Sequence, residues 1–113
     1  MNSSNGFLNK IVKLENRTFS LRTQKFENGF FISVSEDKDK IGSMTISLAT
    51  GPTPTTTTII PSKNESLFLR LISERISTKM NGIALVSIFV KNELEPSTAK
   101  ALMSEVMEMI ENE

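Results

Sequence analysis

The sequence predicts an α+β fold: a single antiparallel sheet of about six strands with two helices on one face. Three observations carry this expectation. Between residues 11 and 60, apolar and polar side chains alternate in short runs separated by turn residues, the period of half-buried strands. Further on, two stretches repeat apolar residues at helical spacing. Between those stretches, residues 83–90 (IALVSIFV) are apolar on both alternating sets, as in a central strand covered on both faces.

The elements follow in order. Residues 1–10 read as a flexible polar leader, and residues 11–14 (IVKL) as a short strand. Glu15 and Asn16 offer a tight turn. Residues 17–26 alternate, with Phe19 and Leu21 on one face and Thr18, Ser20 and Arg22 on the other. Asn28-Gly29 is a strong short hairpin signal. Phe30, Ile32 and Val34 then share one face of the next strand. Residues 36–40 (EDKDK) read as a solvated charged turn that lacks the Gly and distal Glu of a calcium loop. Residues 41–49 form a fourth strand, with Met44, Ile46 and Leu48 on one face, so that 17–49 reads as an antiparallel meander.

Residues 51–58 (GPTPTTTT) interrupt this pattern. Gly51, Pro52 and Pro54 break a ladder, whereas the β-branched Thr residues after them suit an edge strand up to Ile60. Pro61 stops that strand. Ser62 or Asn64 can cap a helix, in which Leu69, Ile72, Ile76 and Met80 form a stripe. Asn81 and Gly82 fit its left-handed end. Pro96 begins a second helix with Ala99, Leu102, Met103, Val106 and Ile110 on one side.

The totals bound the function. The 113 residues suit one domain, and splitting the chain at the Thr run leaves pieces too small to fold without a staple. Neither Cys nor His occurs, so disulfides and Cys or His nucleophile–base pairs are excluded, and a soft metal site would lack its usual ligands. Formal net charge is zero, and no basic field favours a nucleic acid. No apolar run approaches the length of a membrane span, and no motif asks for a cofactor or a metal.

The chemical candidates are weak. Thr57 has no His base, though Lys63 is close in sequence. Gly51 alone does not make a phosphate nest. Glu93 and Glu95 sit beside Asn92, Pro96 and Ser97, which suggest a wet turn and not the buried site that general-acid work needs. Glu105 and Glu108 suit a solvated helix face, and Met80 and Met103 the helix–sheet seam. No catalytic residue is assigned, and the chain reads as a non-enzyme. A different feature points to association. Two helices can cover only one face of such a sheet, yet Phe31, Ile41, Leu85 and Phe89 occupy the other side of their strands. If those positions gather, either loops or a partner must cover them.

The order of elements resembles the small proteasome-assembly chaperone family, most nearly its chaperone-3 branch. The likeness lies in the early meander, residues 29–35 (GFFISVS), 42–48 (GSMTISL) and 57–61 (TTIIP), the block 66–92 and the last helix, 98–110. It implies a single domain over 11–113 and a non-catalytic dimeric chaperone that assists assembly of the 20S proteasome α-ring. It also implies a sheet-on-sheet dimer with helices outward, either a homodimer or a heterodimer with a related assembly chaperone. Proteasome α subunits would be the clients, and the cytoplasm, with the nucleus, the location. Phe31, Leu85 and Phe89 are then the expected dimer anchors. Thr53, Thr55, Glu93 and Glu95 are the expected partner-contact surface. The alternative is a roadblock- or longin-like scaffold organising GTPase-regulatory complexes. That order puts a helix before consecutive strands, so a helix within 11–60 would favour it.

Overall fold

The computed structural model describes residues 7–49, 51–61 and 66–111. Five strands come first: β1 (Phe7–Leu14), β2 (Arg17–Phe26), β3 (Gly29–Glu36), β4 (Ser43–Leu48) and β5 (Thr55–Ile60). Helix α1 (Ser66–Met80), strand β6 (Ile83–Phe89) and helix α2 (Pro96–Glu111) complete the fold. The six strands form one sheet in the order β1-β2-β3-β6-β4-β5. Both helices pack on one face, where Leu69, Ile72 and Ile76 of α1 and Leu102, Val106 and Ile110 of α2 share a core with Phe19, Leu21, Ile32, Val34 and Val86. The smallest dimension, 22 Å, is that of a two-layer domain.

Turn chemistry fixes the registers. Glu15 and Asn16 both have positive φ, 49° and 68°, as a two-residue turn matched to strand twist requires. β1 begins at Phe7, so residues 7–10 belong to a strand and not to a leader. They pair with Gln24, Thr23, Arg22 and Leu21 along the long β2. The β2–β3 turn is Glu27-Asn28, one residue earlier than expected, and Gly29 enters the ladder opposite Phe26. A Cβ on Gly29 would collide with the Ile83 carbonyl of β6. Asn81, at φ 56°, ends α1, with the Gly82 N–H donating to Ser77 O at 3.0 Å. Ser62, Lys63 and Asn64, including the expected caps, lie outside the described residues.

The sheet is mixed. β6 inserts between β3 and β4, running parallel to β3 and antiparallel to β4, so the meander expected over 17–49 stops at β3. Parallel pairing needs a long crossover, and everything from β4 to α1 supplies it. Ile41 is therefore not in a strand. It sits on the 37–42 connector that precedes β4 and is 73% exposed.

Under α1 the seam is polar. β4 turns Thr45 and Ser47 toward the helix, both buried, and sends Met44, Ile46 and Leu48 the other way. The hydroxyls are satisfied: Ser47 Oγ lies 3.0 Å from Ser77 Oγ and 3.2 Å from Thr56 Oγ1. Ser73 Oγ donates to Thr45 Oγ1 at 3.3 Å. Thr56 Oγ1 donates to Glu74 Oε2 at 2.7 Å, and Arg70 Nε to the same oxygen at 3.0 Å. Those two bonds, Thr56 first, hold the Glu74 carboxyl below its ordinary range.

Candidate interaction face

Strand alternation decides what the sheet shows on the side away from the helices. Residues paired across a ladder point to the same face. Phe31 pairs with Gln24 and Leu85, and Leu85 with Ile46. Phe7, beside Gln24, and Thr57, beside Ile46, complete that row across the sheet. The neighbouring row toward the start of β6 holds Phe26, Ile83, Leu48 and Thr55. These two rows make an apolar band across the end of the sheet where β6 begins. Phe7 is 41% and Phe26 54% exposed, while Phe31, Leu85, Ile46 and Leu48 are half-buried by their neighbours in the same layer. Neither α1 nor α2 crosses this face.

The other end of the face differs. The row Asn9, Arg22, Ser33, Ser87 and Met44 is largely polar. Beyond it, the 37–42 connector folds back as a strap. Ser35 Oγ donates to Lys40 O at 3.1 Å and accepts from Lys40 N at 3.3 Å. The Gly42 N–H donates to Ser87 Oγ at 3.0 Å, and Gly42 runs so close to Ile88 and Phe89 that a side chain there would strike their backbone. Asp39 meets Arg22 at 2.6 Å. Asp37 meets Lys91 at 2.5 Å, which raises the Lys91 pKa. Lys40 Nζ lies 4.8 Å from the Phe89 ring centroid, a cation–π contact that caps this ring.

The three expected anchors thus share one face but not one environment. Phe31 and Leu85 touch in adjacent strands of the apolar band. Phe89 lies under the strap, two ladder steps further along β6. Ile46 and Leu48 join the band in their place. Their signal in the sequence was the alternating set of β4, which could not say which face was the core.

The four expected partner-contact residues do not form one surface. Thr55 pairs with Leu48, at the end of the sheet where β6 begins, and Thr53 precedes it. Glu93 and Glu95 follow the opposite end of β6, about 20 Å away along a seven-residue strand. Thr57 of β5, in the row of Ile46 and Leu85, is likewise separated from Glu93 beyond the far end of β6.

The 92–95 turn is held from below by an ion pair that the charged run concealed. Glu36 is not part of a wet turn: it is the last residue of β3, on the core face, and 4% exposed. Arg17 meets it with both prongs, Nε at 2.9 Å and an Nη at 2.7 Å. The Lys91 N–H adds a bond at 2.9 Å. Arg17 first, against the opposing effect of burial, and then the Lys91 N–H hold the Glu36 carboxyl below its ordinary range. The same guanidinium donates to the carbonyls of Asn92 and Glu93 at 3.0 and 3.3 Å, which places buried Leu94 beneath exposed Glu93 and Glu95. At the β1 edge of the sheet, Lys10 bonds Glu105 and Glu108 of α2 at 2.5 and 3.1 Å.

Comparison with protein-family models gives no match, and neither does comparison with curated proteins. Among solved structures, the chain is similar to one from the crystal structure of a chaperone complex for yeast 20S proteasome assembly. The similarity covers 94% of each chain with a TM-score of 0.70 and 10% sequence identity. At that identity the likeness is one of fold.

Proposed function

We propose that this chain is a non-catalytic chaperone for 20S proteasome assembly, of the chaperone-3 type, that works as a dimer joined through its uncovered sheet face. The observation that carries the reading is the polarity of β4. A strand of a two-layer domain normally turns its apolar set toward the helices. Here Thr45 and Ser47 lie under α1, and Met44, Ile46 and Leu48 join Phe31 and Leu85 on the bare face. A surface band of this kind fits a partner's sheet, with the two helical layers outward. The fold likeness to a chaperone of yeast proteasome assembly supplies the biological context.

The partner is a second copy or a related assembly chaperone, and the client a proteasome α subunit, met in the cytoplasm or nucleus. The client surface divides into two patches: the Thr53–Thr55 end, and the Glu93 and Glu95 turn held by Arg17. The scaffold alternative loses its support, because the described part of 11–60 contains five strands and no helix. Affinity capture from the native cell, followed by mass spectrometry, tests the reading. It predicts α subunits without mature β subunits. Recovery of GTPase-regulating subunits, or of no proteasome subunit, contradicts it.

A further inference from the structure

The loop before β5 carries one feature that neither the fold nor the interaction face uses. Of the four prolines in the chain, only Pro54 follows a hydroxyl residue, Thr53; the others follow Gly51, Ile60 and Glu95. Thr53 is exposed and outside every helix and strand. The proline after it disfavours helical backbone at Thr53 and biases it to an extended form. Thr53 ends the exposed 51–53 bend and makes no ladder bonds, so a protein-kinase cleft can reach it and draw it into the extended form that the proline favours. A proline in the next position, with no N–H to satisfy and a fixed φ, suits the proline-directed class.

A receiving cation stands beside the loop. Pro54 lines a groove together with Glu74, Arg75 and Lys79 of α1 and Glu111 of α2. On that groove Lys79 is tied to Glu111 at 3.0 Å, and Glu74 holds Arg70 at 3.0 Å. Arg75 is exposed and forms no ion pair among the described residues. We infer that Thr53 is a phosphorylation site for a proline-directed kinase, and that Arg75 receives the phosphate. In the reaction Thr53 Oγ1 attacks the γ-phosphorus of ATP. The new O–P bond forms as the bond to the bridging oxygen breaks, ADP leaves, and the hydroxyl proton passes to the kinase's base. The product carries a charge of about −1.5 to −2. A guanidinium fork binds two phosphate oxygens at once, whereas Glu74 and Glu111 repel the group, so Arg75 decides whether the loop docks. Thr55 borders the apolar band two residues away, which puts the new charge at the rim of the interaction face.

The test uses the folded full-length chain. It is incubated with ATP and, in parallel, with a mitogen-activated and a cyclin-dependent kinase, and the phosphate is mapped by peptide mass spectrometry. Phosphorus NMR then follows its titration in wild type and in Arg75→Ala, a variant at an exposed position. The expected result is one phosphate, on Thr53 and absent from Thr53→Ala. Its second pKa should fall below the ordinary value of about 6 and move back toward it in Arg75→Ala. Phosphate on another residue, or none with either kinase, overturns the site. Phosphate on Thr53 with the same titration in both proteins overturns the role of Arg75. Neither result bears on the chaperone reading, which stands or falls by capture.

Discussion

Leu85 and Val86 are neighbours in β6, yet they belong to different regions of the molecule. Val86 lies under the helices with Ile32 and Val34, completely buried. Leu85 lies on the bare face with Phe31 and Ile46. The helical side is finished by folding: its apolar side chains are covered, and its hydroxyls under α1 have partners. The opposite side is finished only in part, because the strap covers the Phe89 end and leaves the band at the start of β6 open. Burial within one chain and burial between chains therefore come from the same strands. The two are separable by experiment, since only the second depends on protein concentration.

Truncation on the helical side should cost the most. Ile32→Ala, at a fully buried site, should cost about 2–5 kcal/mol of stability. Denaturant titrations should give the same loss at every protein concentration. An effect below 1 kcal/mol would mean that the helical side is not the core.

Next comes the Arg17–Glu36 pair. Arg17→Met leaves a buried carboxylate uncompensated and should cost about 3 kcal/mol near neutral pH. The sign of the pH dependence follows from the lowered Glu36 pKa. The pair contributes fully above the unfolded value of about 4.5. Its contribution is lost as pH falls from there through the folded value, when the carboxylate takes up a proton. Wild type should thus lose stability across that acid window more steeply than Arg17→Met. Parallel acid limbs in thermal melts of the two proteins would contradict the assignment.

On the open face, Leu85→Ala should weaken association by roughly 1–3 kcal/mol, seen as a shift in the dimer midpoint on sedimentation. Phe89→Ala should do less, because Lys40 and the strap already cover that ring. The reverse ranking would move the interface to the other end of the sheet. The smallest effect is expected in the polar seam. Ser47→Ala alone removes the bonds to Ser77 and Thr56, though the Ser77 hydroxyl keeps Glu74 O at 3.1 Å, and should cost about 1 kcal/mol, while the double change with Ser77→Ala should cost less than the sum of the two single ones.

Much of this was legible in the sequence. Alternation located β2, β3 and β4, the Thr run gave the edge strand, and helical spacing with the Asn81-Gly82 end gave α1. The open face was legible too, since two helices cannot cover both sides of six strands. Pairing was not. Strands consecutive in sequence usually neighbour each other, and nothing local in β3 or β4 announces that β6 will separate them. The polarity of β4 was hidden for the same reason, because alternation defines two sets but only the register with β6 says which one meets the helix. Glu36 does have a local signal inside its charged run: it continues the parity of Phe30, Ile32 and Val34, and its partner Arg17 precedes Phe19 by the same step. The separation of Thr53 and Thr55 from Glu93 and Glu95 follows from the direction of β6, which only the fold supplies.

Association through the open face is measured most directly by sedimentation equilibrium of wild type and Leu85→Glu, each with and without a related chain recovered by capture. A charge on the band cannot be buried against a second sheet without a partner, but it leaves the helical core untouched. The wild type should associate, with itself or with that chain, and Leu85→Glu should remain monomeric while melting within a few degrees of wild type. A wild type that stays monomeric under both conditions, or a Leu85→Glu that associates equally well, would contradict the assignment of this face.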